Sequence, residues 1–142
     1  MTPCAAGSRT PLEFSMMFFA AIESNEPADR YALILEAARR GDAAGFGAVW
    51  VPERHFTLMG SLYPNPSVLH AALARETHRI HLRAGSVVLP LHHPVRIAEE
   101  WAMVDNLSGG RIGVSLAPGW NPTDFLLAPG SYGDRYRDLY EG

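Results

Sequence analysis

Two hydrophobic periods alternate along this chain. Glu13 to Phe19 carries Phe14, Met16, Met17, Phe18 and Phe19, a nearly continuous apolar run that predicts a parallel strand covered on both faces. From about Asp29 to Ala44, the residues Tyr31, Ile34, Leu35 and Ala38 fall at helical spacing, with Gly45 as the stop. Phe46 to Val51 is the second predicted strand. Asn65-Pro66 supplies an N-cap and a first-turn proline, and Leu69, Ala72 and Leu73 then line a helix. Leu82 to Leu89 predicts a third strand. Pro94 opens a helix carrying Ala98, Trp101, Ala102 and Asp105, which Ser108-Gly109-Gly110 closes before a fourth strand, Ile112 to Ala117. Asp134 to Gly142 reads as the opening of a fourth helix that stops after about two turns.

Four βα units of about 30 residues each imply a parallel sheet with right-handed crossovers. The first βα turn, Ala20-Ala21-Ile22-Glu23, lacks the glycine fingerprint of a dinucleotide fold, and Gly45-Phe46-Gly47 precedes a strand instead of opening a helix. A barrel fits better. Because a complete barrel needs about 250 residues and the chain has 142, the expected fold is α/β, the N-terminal half of a TIM (β/α)8 barrel. Residues 1–11 are expected to form a flexible leader and 12–142 the partial barrel domain.

Composition narrows the function classes. A hydrophobic content of 47% supports a sizeable core. The net charge is −3 and the 12 basic residues are all arginines, scattered along the chain, so a face for a nucleic-acid backbone has no support. No apolar run approaches the roughly 20 residues needed to span a membrane, and Met1 to Pro11 lacks the pattern of a signal peptide. A lone Cys4 forms no intrachain disulfide. A cytoplasmic location is expected.

Candidate chemistry sits where strands run out, the edge of an α/β barrel that carries its sites. Val51-Pro52-Glu53-Arg54-His55-Phe56 places three ionisable side chains after the second strand, and Gly85-Ser86 and Ala117-Pro118-Gly119-Trp120 lie near the ends of the third and fourth. Each has a structural alternative. Glu53, Arg54 and His55 also suit a polar cluster at the rim, Gly85 also suits close packing, and Trp120 also suits a hydrophobic cap. The adjacent His92 and His93 diverge, and no His-x3-His pair occurs on a helix, so no metal site is expected. Ser15, Ser86 and Ser115 lack the setting of a nucleophile elbow.

The ordered succession Phe46-Gly47-Ala48-Val49-Trp50-Val51-Pro52-Glu53-Arg54-His55-Phe56, Tyr63-Pro64-Asn65-Pro66, Gly85 to Pro90, His93-Pro94-Val95-Arg96 and Ser108-Gly109-Gly110-Arg111 resembles the bacterial luciferase-like flavin-dependent monooxygenases. It looks closest to their natural-product biosynthesis branch. The resemblance implies an oxidoreductase that takes reduced FMN from a flavin reductase, uses O2 as cosubstrate, and oxygenates a small organic or carrier-bound substrate. It implies that Arg54 and His55 serve the chemistry, while Glu53, Gly85, Ser86, Ala117, Pro118, Gly119 and Trp120 hold the cofactor. It also implies a cis peptide at Gly85-Ser86, forming a bulge against the flavin ring. Two positions depart from the family pattern. Arg54 stands where luciferases have a histidine, and arginine is a poor proton shuttle, although it can pair with an anionic flavin or substrate. Pro118 replaces a phosphate-facing arginine or serine and offers no N–H. On this reading Arg54→Ala changes oxygen coupling and spares thermal stability. The missing half comes from self-association as a homodimer or from another segment. A non-catalytic flavin-binding or assembly module and an inactive fragment are the other readings.

Overall fold

The computed structural model describes residues 12–19 and 29–141. The expected leader, the Ala20 to Glu23 turn and Gly142 lie outside them. The elements are β1 (Ser15–Met17), α1 (Ala32–Ala44), β2 (Ala48–Val51), α2 (Pro66–Glu76), β3 (His81–Val88), α3 (Pro94–Ser108), β4 (Ile112–Ala117) and α4 (Arg135–Glu141), with short 3-10 turns at Leu89–Leu91 and Asp124–Leu127. The four strands are parallel and neighbours in sequence order, β1-β2-β3-β4. Sequential order winds the sheet in one direction. The buried cluster of Ile34, Ala38, Val49, Val51, Leu73 and Leu82 joins α1 and α2 to β2 and β3, and Ala84, Val87, Trp101 and Val104 join β3 to α3. Alternation along each strand then places the remaining side chains on the opposite face.

Local chemistry explains where the helices begin and end. The helix predicted from Asp29 starts at Ala32, because the Asp29 carboxylate accepts the Tyr31 amide at 3.1 Å and closes a turn first. Gly45 and Gly109 end α1 and α3 in the left-handed region, at φ 81° and 71°. Asn65 caps α2 by accepting the Val68 amide, with Pro66 in the first turn.

Three expectations need correction. β1 is not covered on both faces: Phe14, Met17 and Phe19 are exposed and only Met16 of the strand packs on the helix-side core. The described residues put no second wall against its inner face and no strand beyond its edge. The inward face of α2 runs through Ser67, His70, Leu73, Ala74 and Thr77, leaving Ala72 exposed. That of α3 runs through Trp101, Val104 and Ser108, leaving Ala98 and Ala102 exposed. The inward polar groups are bonded in part: Thr77 Oγ1 donates to Leu73 O at 2.7 Å and His70 Nδ1 lies 2.7 Å from Pro66 O, whereas His70 Nε2 has no partner among the described residues.

The end of the sheet where strands begin is held by two polar clamps. Asp42 accepts the amides of His78, Arg79 and Ile80 at 2.6–2.9 Å. The Arg111 guanidinium donates to the carbonyls of Ala74, Thr77, Ile80 and Ser108 and to Thr77 Oγ1, satisfying carbonyls that the end of α2 leaves free. Ser108-Gly109-Gly110-Arg111 is therefore a structural motif, and the opposite end of the sheet is left for chemistry.

Candidate active site

The C-terminal ends of β2, β3 and β4 enclose a pocket of about 260 Å³. Eight of the nine residues singled out from sequence line it: Glu53, Arg54, Gly85, Ser86, Ala117, Pro118, Gly119 and Trp120. The ninth, His55, is buried behind Glu53, and its Nε2 lies 2.9 Å from Glu53 Oε1. The volume falls just below the usual range for small-molecule sites, about 300–1,000 Å³.

β3 carries the bulge. The Gly85-Ser86 peptide is cis, and the pairing with β4 passes from Gly85↔Ser115 to Val87↔Leu116, leaving Ser86 outside the ladder. Ser86 O accepts the Glu53 amide at 3.0 Å, and the Ser86 and Ser115 hydroxyls lie 3.0 Å apart. A Cβ at Gly85 would lie 2.8 Å from Trp50 Cε3. The indole therefore packs where a side chain would stand, which is the close-packing alternative for this glycine.

Arg54 stands in a buried polar cluster, the structural alternative weighed for it. Its Nη1 donates to Asp124 Oδ2 at 3.0 Å, both side chains are less than a tenth exposed, and the guanidinium lies 4.4 Å from the centroid of the Trp120 ring. Asp124 Oδ1 accepts the His55 amide at 3.0 Å and Asn121 Nδ2 at 3.4 Å. This cluster ties the loop after β2 to the loop after β4. The Arg54–Asp124 pair argues against the expectation that Arg54→Ala spares stability, because removing the guanidinium strands a buried carboxylate. Trp120 covers the Arg54 guanidinium, as a cap would, and 68% of its surface remains exposed where it lines the pocket.

Glu53 has a second set of partners. Its Oε1 accepts from His55 Nε2 at 2.9 Å and His92 Nε2 at 2.5 Å, and its Oε2 accepts the Val88 amide at 2.7 Å. Burial opposes ionisation of this carboxyl, but the bonds from His55, His92 and Val88 and the charge of His92 outweigh it and hold its pKa below the ordinary value. The hydrogen bond to Glu53 raises the pKa of His92 against the opposing effect of burial, with the charges of Glu53 and Glu100 adding to it. An ionised carboxylate thus sits at the pocket wall with a half-buried imidazole behind it.

Sequence reasoning missed Asp124 and His92. Asp124 had one signal: Asn121-Pro122-Thr123-Asp124 is turn chemistry just beyond a strand end, the place where a partner for Arg54 was needed. His92 was weighed only as a metal ligand.

Gly119 holds the β4 turn in a conformation that only glycine adopts freely. Its φ is +76°, and a Cβ would lie 2.7 Å from Val88 Cγ1 and 3.0 Å from Phe125 Cε2. Gly119→Ala should cost about 2–4 kcal/mol in urea unfolding, from left-handed strain and overpacking together. Gly130→Ala, in open space at ordinary φ, should cost less than about 0.5 kcal/mol in the same measurement.

A one-directional parallel sheet with helices on one face and its pocket at the C-terminal strand ends defines half of a (β/α)8 barrel built as barrel enzymes are. The family model described as luciferase-like monooxygenase matches residues 12–141, and the chain belongs to that family. It is 33% identical over 114 residues to the oxygenase component of flavin-dependent trigonelline monooxygenase of Acinetobacter baylyi, covering 77% of this chain and 31% of that protein. Among solved structures, monooxygenase RslO1 from Streptomyces bottropensis superposes with a TM-score of 0.77 at 25% identity, over 90% of this chain and 42% of that one. The oxygenating constituent of 3,6-diketocamphane monooxygenase from Pseudomonas putida, solved in complex with FMN, superposes with a TM-score of 0.75 at 21% identity, over 82% of this chain and 32% of that one. The chain thus spans less than half the length of these relatives. No described helix is long and apolar enough to cross a membrane.

Proposed function

We propose that this chain is the flavin-facing N-terminal portion of a luciferase-like monooxygenase, the oxygenase of a two-component system that receives reduced FMN from a flavin reductase. The observation that carries the reading is the pocket at the ends of β2, β3 and β4, where the bulged backbone at Gly85-Ser86 meets the small residues Ala117, Pro118 and Gly119. Backbone and small side chains permit close approach of a planar ring system, and the exposed face of Trp120 offers a stacking surface. The pocket therefore fits the ring portion of FMN. It does not fit the phosphate equally well. Arg54 is the sole cation lining the pocket among the described residues, and its charge is already matched by Asp124.

The residues divide the work accordingly. Gly85, Ser86, Ala117, Pro118, Gly119 and Trp120 would form the wall against the ring, and the reduced cofactor with O2 would supply the oxidising chemistry. Glu53 keeps a negative charge at that wall, and His92 and His55 hold its carboxylate in place by hydrogen bonds. Arg54 with Asp124 fixes the Trp120 loop. Oxygenation of a small organic or carrier-bound substrate, in natural-product biosynthesis and in the cytoplasm, is proposed for the completed barrel. Further βα units would supply the other half of that barrel.

Fluorescence titration of the 142-residue chain tests the reading. FMN should bind with a dissociation constant on the order of tens of micromolar, and riboflavin almost as well, because the phosphate adds little. Nanomolar binding with a strong preference for FMN would reveal a phosphate site elsewhere in the chain. Absence of any flavin binding, in a chain shown to be folded, would remove the cofactor assignment.

A further inference from the structure

The sheet face turned away from the helices holds a charge that its surroundings do not match. By register Met17 pairs with Trp50, Trp50 with Arg83, and Arg83 with Gly113, so the four form one row across the sheet. The flanking residues Leu82 and Ala84 are buried in the helix-side clusters, which places Arg83 on the open face. There the side chain lies flat. Its guanidinium carbon is 5.2 Å from the Trp50 ring centroid, and its Cγ is 3.2 Å from where a Cβ of Gly113 would stand. Among the described residues no carboxylate lies within 4.0 Å of it and its guanidinium donates no hydrogen bond, although ten arginine–carboxylate and histidine–carboxylate pairs form elsewhere among them.

Closing a barrel would turn this face into an interior. Arginine remains charged at any accessible pH, and an unpaired cation in a dry interior is strongly unfavourable. Whatever covers the face must therefore bring an anion. A second copy brings the opposite of what is needed: a two-fold axis along the barrel axis places its own Arg83 at the same height across the same interior, so two cations would face each other. Resting on the half-barrel reading above, we propose that the open face is a docking surface for a barrel-completing βα segment that presents an inward-facing aspartate or glutamate to Arg83, and that Arg83 opposes closure by a second copy. The exposed Met17 beside it supplies apolar area to the same interface.

A copy of this chain carrying Arg83→Glu serves as the probe for a carboxylate-bearing half. Sedimentation equilibrium would compare the wild-type chain, the Arg83→Glu chain and their 1:1 mixture. The mixture should form a heterodimer at least about tenfold tighter than either homodimer. A wild-type dimer as tight as the heterodimer would overturn the inference, and so would a mixture of folded chains that does not associate. If circular dichroism shows Arg83→Glu to be unfolded, Arg83→Met replaces it. Neutralising the charge should then tighten self-association about tenfold relative to wild type, and no gain would overturn the inference. Flavin titration of the wild-type chain is independent of these results, so failure here with flavin still bound leaves the proposed function standing.

Discussion

Asp124→Ala should destabilise the chain by about 3–5 kcal/mol, the cost of breaking a buried ion pair from one side. The Arg54 guanidinium is held between Asp124 and Trp120 with little access to water, so it cannot recover its hydration where it stands. The same change removes the acceptor for the His55 amide and for Asn121 Nδ2. A folded domain has about 5–15 kcal/mol in total, so the melting temperature should fall by about 10–20 °C. Asp124→Asn keeps an acceptor and the shape while losing the charge, and should fall between wild type and alanine. The paired replacement Arg54→Met with Asp124→Leu removes both charges and should recover most of the loss. Thermal and urea melts of the four chains decide the matter. If Asp124→Ala melts with wild type, the two loops are not held by this pair.

Glu53→Gln should remove two opposite pH dependences at once. His92 has a folded pKa raised above its ordinary 6.5. Its contribution to stability is therefore fully present below pH 6.5 and is lost as pH rises through the folded value. Glu53 has a folded pKa depressed below its ordinary 4.5. Its contribution is present above pH 4.5 and is lost as pH falls through the folded value. The wild-type chain should thus be most stable across the interval between the two ordinary values and lose stability on each side of it. A neutral amide offers one acceptor oxygen where the carboxylate serves three donors, so Glu53→Gln should cost about 1–3 kcal/mol at pH 6 and flatten both slopes. Proton NMR titration of the His92 ring should show its pKa moving back toward 6.5. An unchanged His92 titration would show that Glu53 is not its partner in solution.

What was legible in the sequence was whatever depends on near neighbours. The α3 and β4 boundaries, the glycine stops at Gly45 and Gly109 and the Asn65 cap follow from local backbone chemistry, and the structure places each of them as read. The same holds for the grouping of the candidate residues, since strand ends in a parallel α/β sheet all point one way, and eight of the nine line one pocket. The motifs also carried the family, because their order and spacing follow the βα repeat itself.

Tertiary structure decided which charges meet. Asp124 is 70 residues from Arg54 and His92 is 39 from Glu53, and no periodicity links positions so far apart. It took the folded sheet to make Arg54 half of a buried pair, and Glu53 the acceptor for two histidines. The burial of β1 failed for a related reason. An apolar run records that a strand expects cover on both faces, but the described residues supply that cover on the helix side alone. Side-chain pattern reports the environment a residue is suited to; only packing in three dimensions determines which groups provide it.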